Sequence, residues 1–114
     1  MRSLIAVTIV AMFSSNATAY SGLDFQRDCH TTLTRKGQLS DPTVAISIGN
    51  CVGYLEGVLD AVHGQPTGIC TPSAIKNEQL IRIVLKHLND NPAKLHDRAS
   101  SQILVALRDV FPCR

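Results

Sequence analysis

Hydrophobic residues recur along this chain at intervals of three and four, the spacing of a helix with one buried face. The clearest case begins at Asp41-Pro42, a favourable N-cap followed by proline at the first helical position. Its apolar positions are Val44, Ile48, Cys51, Val52, Leu55, Val58, Leu59 and Val62. A stretch rich in glycine and proline follows at 64–68, so this helix should end near His63.

A helix before this one and a helix after it are predicted from shorter patterns. The first covers Leu23 to about Leu33, and the third begins between Ser73 and Glu78. The third helix buries Leu80, Ile81, Val84, Leu85 and Leu88. Each pattern fills one side of a helix, so both helices should pack into a common core.

The motif Asn89-Asp90-Asn91-Pro92 is predicted to end the third helix and start a fourth within four residues. Asn91 is the expected N-cap and Pro92 the first helical residue. The inward positions of this fourth helix are Leu95, Ala99, Ile103, Ala106, Leu107 and Val110. Since no segment alternates with period two, we predict an all-α fold, a small four-helix bundle-like domain.

The first 19 residues have the three parts of a secretory signal peptide. Arg2 precedes an apolar run from Leu4 to Phe13, and small residues close the segment at Ala17-Thr18-Ala19. A membrane span needs about 20 apolar residues, so a cleaved signal is favoured over an anchor. Cleavage after Ala19 would leave residues 20–114 as one exported helical domain without membrane association.

All four cysteines lie in this mature part, where export would expose them to an oxidising compartment. A short turn between the third and fourth helices makes them an antiparallel hairpin, with Cys70 and Cys113 at the same end. Cys29 and Cys51 lie about equally far from the connection between the first two helices. Two disulfides are therefore expected, with Cys29–Cys51 and Cys70–Cys113 the favoured pairing of the three possible.

Charge and motifs exclude several classes of function. Loss of Arg2 leaves ten basic residues against nine acidic ones, which is too balanced for nucleic-acid or anionic-membrane binding. The four histidines match no metal-ligand spacing, and no nucleophile, phosphate-binding or dinucleotide motif occurs. We expect neither an enzyme nor a bound metal or cofactor.

Small residues recur every fourth position along the second helix, at Ala45, Gly49, Gly53, Gly57 and Ala61. Each glycine costs roughly 0.5–1 kcal/mol relative to alanine in a helix, so something should approach this ridge closely. Packing of another helix of the same chain is the favoured interpretation. A dimer or partner surface is the alternative.

Several short motifs together resemble one known family. They are Cys51-x-Gly53-Tyr54-x-x-Gly57, Cys70-x-Pro72, Gln79-Leu80, Leu88, Pro92-x-x-Leu95-His96, Ala106-Leu107 and Phe111-Pro112-Cys113. In order and spacing, from Gly49 to Cys113, they resemble the Tai-type immunity proteins of Gram-negative bacteria, also called resistance-associated proteins. The resemblance implies a periplasmic helical protein, often dimeric, that blocks the cleft of a peptidoglycan amidase injected by type VI secretion.

The resemblance does not indicate which residues would contact an amidase. We therefore select candidate contact residues from the connections that should be exposed to solvent. Two connections are the candidates. The first is the loop of His63, Gly64, Gln65, Pro66, Thr67 and Gly68, and the second is the turn of Asn89, Asp90 and Asn91. A periplasmic acid-stress chaperone, or another small periplasmic binding protein, is the alternative function, because four histidines would gain charge in acid. A small secreted enzyme ranks third.

Overall fold

The computed structural model describes residues 18–114, in which four α-helices are present and no strand is formed. These are α1 (Gly22–Arg35), α2 (Pro42–Val62), α3 (Asn77–Asp90) and α4 (Ala99–Val110), with a single 3-10 turn at Pro92–Lys94. The predicted all-α fold is therefore confirmed. Residues 1–17, most of the predicted signal peptide, lie outside the described part.

The starts of α1 and α2 follow directly from local sequence. The hydroxyl of Ser21 accepts from the amide of Asp24, and the Asp24 side chain accepts from the Ser21 amide, which completes a capping box. Asp41 accepts from the amide of Thr43 in front of Pro42, as predicted. These short-range contacts explain why both helix starts can be read from sequence.

The core lies where α1 contacts each of the other three helices. Its buried residues are Phe25, Cys29, Cys51, Leu55, Leu80, Ile81, Val84, Leu88, Ala99, Ile103, Ala106 and Leu107. Two expected inward positions are wrong, because Leu23 is 55% exposed and Val110 is 51% exposed. Both lie near a helix end, beyond the part of the face that neighbouring helices cover.

Both disulfides have the predicted pairing. Cys29–Cys51 joins α1 to α2, and Cys70–Cys113 joins the segment before α3 to the segment after α4. In the chain-entropy model, loops of 22 and 43 residues each contribute about 3–4 kcal/mol to stability.

The predicted start of α4 at Pro92 is wrong. Only the turn Pro92–Lys94 forms there, and Asn91 makes no side-chain cap. The next residues pair instead with the chain entering α1, because the amides of Gly22 and Leu23 donate to the carbonyls of Asp97 and Leu95 at 2.9 and 2.8 Å. These bonds hold residues 95–98 in a turn outside any α-helix, so α4 begins at Ala99.

Tertiary contacts replace the missing cap of α4. The first amide of the helix, that of Ala99, donates to the Tyr20 carbonyl at 2.9 Å. The next, that of Ser100, donates to the Tyr54 hydroxyl at 3.1 Å. Arg98, at the N-cap position, makes no side-chain cap. The start of α4 therefore depends on residues far away in sequence, which a local cap motif does not reveal.

Candidate functional site

The loop at 63–68 lies between the end of α2 and Cys70. His63, Gln65 and Pro66 are exposed, and Thr67 is half-buried. Gly64 and Gly68 have φ angles of 75° and 77°, a left-handed conformation that side-chain-bearing residues rarely adopt. The two glycines thus turn the chain out of α2 and back toward Cys70, as the sequence suggests.

The base of this loop is fixed to the C-terminal segment. The amide of Cys70 donates to the Phe111 carbonyl at 2.8 Å, and the amide of Cys113 donates to the Gly68 carbonyl at 3.0 Å. The Cys70–Cys113 disulfide closes the same base covalently. A short antiparallel connection with a covalent cross-link therefore holds the loop ends together.

Side-chain and turn hydrogen bonds order the loop itself. The guanidinium Nε of Arg108 donates to the Thr67 carbonyl at 3.0 Å. The Thr67 hydroxyl accepts from the amide of Ile69 at 3.2 Å, and the Gln65 amide donates to the Val62 carbonyl at 2.9 Å. The loop is therefore exposed but has a defined backbone conformation.

A shallow depression of about 240 Å³ lies beside the loop. Its walls combine apolar side chains of α2 with the loop backbone, and its lining includes Leu59, Val62, Gly64, Thr67, Ile69 and Thr71. A partner side chain could enter this depression while the loop contacts the surrounding surface.

In the second candidate, the turn at 89–91, all three side chains already form hydrogen bonds or ion pairs within the chain. Asn89 accepts from the side chain of Gln26 at 2.7 Å, and Asp90 pairs with Lys86 at 2.6 Å. Asn91 donates to the His87 carbonyl at 2.8 Å, so it closes α3 and does not open α4. These side chains would have to exchange existing bonds in order to contact a partner.

The small-residue ridge of α2 faces open space. Beyond the adjacent backbone of its own helix, a Cβ atom built on Gly49, Gly53 or Gly57 would meet no atom of the described part within 4 Å. The expectation that a helix of the same chain covers the ridge is therefore wrong. Helix α2 instead packs through Val44, Cys51 and Leu55, which lie on its opposite side.

A polar and aromatic cluster, which the sequence pattern did not predict, lies beside this ridge. The rings of Tyr20 and Tyr54 lie 4.5 Å apart, and the Tyr20 hydroxyl donates to Asp28 at 2.5 Å. Asp28 is only 2% exposed although it is a carboxylate. The signal was a single acidic residue among the apolar positions of α1, which on its own is too weak to indicate a cluster.

The histidines are dispersed. His30, His63 and His96 are exposed, and His87 forms a 2.9 Å hydrogen bond with Gln102. Among residues 18–114 no three His, Cys, Asp or Glu side chains are grouped closely enough to hold a metal ion. No helix within the same range has the length and hydropathy needed to cross a membrane.

One comparison with known proteins identifies a family. The model of the family described as Rap1a immunity proteins matches residues 21–113, which is most of the chain. No curated protein matches the chain significantly. The matched region begins at the Ser21 cap of α1 and ends at Cys113 of the second disulfide.

Proposed function

This chain belongs to the Rap1a immunity protein family, and from that membership we propose that it is a periplasmic inhibitor of a peptidoglycan amidase delivered by type VI secretion. An immunity protein neutralises an effector protein, so the partner is a protein. The amidase target, the delivery route and the periplasmic location belong to the proposal. In this function the chain binds and occludes the amidase cleft, and it does not itself catalyse a reaction.

Two observations support export. Both disulfides are formed, and disulfides persist in oxidising compartments such as the bacterial periplasm. The family match begins at Ser21, one residue after the predicted mature N-terminus at Tyr20. A folded domain that starts directly after the predicted cleavage site is what a signal peptide at 1–19 requires.

The fixed conformation of the exposed loop at 63–68 favours a mechanism in which this loop blocks the amidase cleft. Binding through a flexible loop costs conformational entropy, and a loop already held in one conformation avoids much of that cost. Its base is closed by the Cys70–Cys113 disulfide and by backbone hydrogen bonds to Phe111 and Gly68. We therefore place the amidase contact at this loop and rank the turn at 89–91 second.

The charge of the loop is compatible with entry into a cleft. His63 is the only residue at 63–68 with an ionisable side chain. Burying an unpaired charge in an interface costs free energy. Because the loop has a single ionisable side chain, its desolvation on binding incurs little of this cost. Backbone groups, Gln65 and Thr67 remain to form hydrogen bonds with the amidase.

An inhibition assay with two matched variants tests this placement. The first variant carries His63→Ala, Gln65→Ala and Thr67→Ala, and the control carries Asn89→Ala and Asp90→Ala at the other end of the α3–α4 hairpin. With candidate type VI amidases and purified cell wall, the first should weaken inhibition by about tenfold or more, whereas the control should change it little. Inhibition that is lost only in the control would move the site to the turn. Failure of the unaltered chain to bind any amidase would refute the proposed target.

We also propose a homodimer that forms through the open side of α2. Ile46 is 63% exposed beside the ridge of Gly49, Gly53 and Gly57, and the absence of side chains there allows a second helix backbone to approach closely. Sedimentation equilibrium tests this proposal. Gly53→Leu should dissociate the dimer, whereas the loop substitution Gly37→Leu should not. A monomeric unaltered chain would refute it.

A further inference from the structure

The two disulfides differ in their access to solvent. Cys29 and Cys51 are each 0% exposed, and they lie in the core between α1 and α2. Cys70 and Cys113 are both exposed. A reductant must bring a thiolate into line with one sulfur of the disulfide, so exposure determines which bridge can react in the folded protein.

The exposed bridge closes the base of the loop at 63–68. Gly68, the last residue of the loop, accepts from the amide of Cys113 at 3.0 Å, and Cys70 donates to Phe111 at 2.8 Å. Ile69 and Pro112 form an isolated antiparallel bridge between these bonds. The disulfide and these backbone hydrogen bonds therefore close the base of the loop together. Within the described part of the chain, the disulfide is the only covalent link at this base.

We propose that Cys70–Cys113 is a site of thiol–disulfide exchange, whose reduction by a dithiol reductant releases the base of the 63–68 loop while the fold is retained. The effect on the partner rests on the proposed function of the loop, whereas the exchange itself does not.

The exchange proceeds in two balanced steps. One thiolate of the dithiol attacks the Sγ of Cys70, forms a mixed disulfide and releases Cys113 as a thiolate, which takes up a proton. The second thiol of the reductant then loses its proton and attacks the other reductant sulfur, the one bonded to Cys70 in the mixed disulfide. Cys70 is released as a thiolate and takes up a proton. The protein disulfide gains two electrons and two protons, and the dithiol becomes a disulfide.

After reduction, two backbone hydrogen bonds and the Arg108 contact with Thr67 still connect the loop to the rest of the molecule. These contacts are at the surface, where local opening requires little exposure of the core. The Cys29–Cys51 bridge and the core around α1 remain in place. The loop should therefore sample more conformations, and inhibition should weaken by about tenfold because the loop must be ordered again on binding.

Selective reduction of the unaltered, oxidised protein tests the site without any partner. Samples are treated with dithiothreitol under native conditions, alkylated at intervals and mapped by peptide mass. Cys70 and Cys113 should be labelled at least about tenfold faster than Cys29 and Cys51, with the helical circular dichroism retained. Equal rates for the two pairs, or faster labelling of Cys29 and Cys51, would overturn the proposal.

Hydrogen exchange then tests release of the loop. In the selectively reduced and alkylated protein, the amides at 64–68 should exchange about tenfold faster, and those of α1 should be unchanged. Unchanged loop exchange would overturn the proposed release. If oxidised and reduced protein inhibited an amidase equally, only the proposed effect of reduction on inhibition would be overturned. If the oxidised protein bound no amidase, the proposed function would be overturned instead.

Discussion

The hydroxyl of Tyr20 donates a 2.5 Å hydrogen bond to the carboxylate of Asp28, which is 2% exposed. Tyr20 is the predicted first residue of the mature chain, and its carbonyl also receives the first amide of α4. One residue at the start of the domain therefore donates to a buried carboxylate in α1, which Arg27 also contacts, and positions a helix near the end of the chain.

Tyr20→Phe should lower the free energy of unfolding by about 1–3 kcal/mol, because it leaves the buried carboxylate of Asp28 without its tyrosine donor. Urea unfolding of the oxidised protein measures the change. In an Asp28→Asn background the same substitution should cost less, since the buried group is then uncharged. An equal loss in both backgrounds would contradict the importance of this hydrogen bond.

The stability should also decline in alkali because of Tyr20. Burial, followed by the hydrogen bond to Asp28 and its negative charge, raises the pKa of the Tyr20 hydroxyl well above its ordinary range. An unfolded tyrosine has a pKa of about 10, so the contribution of Tyr20 is complete below that pH and is lost as the pH rises further. Unfolding midpoints between pH 8 and 11 should fall more steeply for the unaltered chain than for Tyr20→Phe.

Two glycine-to-alanine substitutions should have opposite effects. A Cβ on Gly22 would lie 3.0 Å from Leu88 and 3.2 Å from the Leu95 carbonyl, so Gly22→Ala should destabilise the domain by about 1–3 kcal/mol. The open position Gly53 should instead gain roughly 0.5–1 kcal/mol in the monomer from the better helix propensity of alanine. Thermal unfolding at low protein concentration, where the monomer dominates, measures both. A destabilising Gly53→Ala would show that the ridge is more closely packed than we describe.

Asp24→Asn should lower stability by about 1 kcal/mol at neutral pH, because Asp24 completes the capping box of α1. Hydrogen bonds from Ser21, the backbone amide first, lower the pKa of Asp24 below its ordinary value. The stabilisation is thus present above a pH of about 4 and is lost as the pH falls through the lowered pKa. The difference between the two proteins should therefore shrink in acid. Asp109→Asn, in the last turn of α4, is the control and should be neutral or slightly stabilising.

Arg108→Met should loosen the 63–68 loop without unfolding the domain. The substitution keeps an apolar stem but removes the donor to the Thr67 carbonyl. Because Arg108 is exposed, global stability should change by no more than about 0.5 kcal/mol. Hydrogen exchange at 64–68 should accelerate several-fold. Arg82→Met on α3 is the control, and an equal acceleration there would mean that the Arg108 bond does not order the loop.

Local patterns predicted much of this fold. The predicted cap of α2 involves Asp41 and Thr43, which are two positions apart, and the 3.6-residue periodicity selected most of the core. The disulfide pairing followed from the expected hairpins, because helices joined by a short connection place their flanking cysteines level with each other. Such features depend on neighbours in sequence, so they are visible before the chain folds.

The candidate site was predicted only in part. Glycine and proline marked the loop at 63–68 as an exposed connection. Its fixed base depends on Phe111, Cys113 and Arg108, which are more than 40 positions away in sequence. The exposure that distinguishes Cys70–Cys113 from Cys29–Cys51 likewise arises from packing, since the four cysteines are chemically identical in the sequence.

The sequence by itself determined the helical class, the starts of α1 and α2, and the pairing of the cysteines, because each is encoded by local spacing and capping chemistry. Only the tertiary structure decided that α4 begins at Ala99 and that the glycine ridge faces open space. At Ala99, backbone groups near Tyr20 compete with helix formation after Pro92. At the ridge, the packing of α2 on α1 through Cys51 and Leu55 fixes which side remains uncovered.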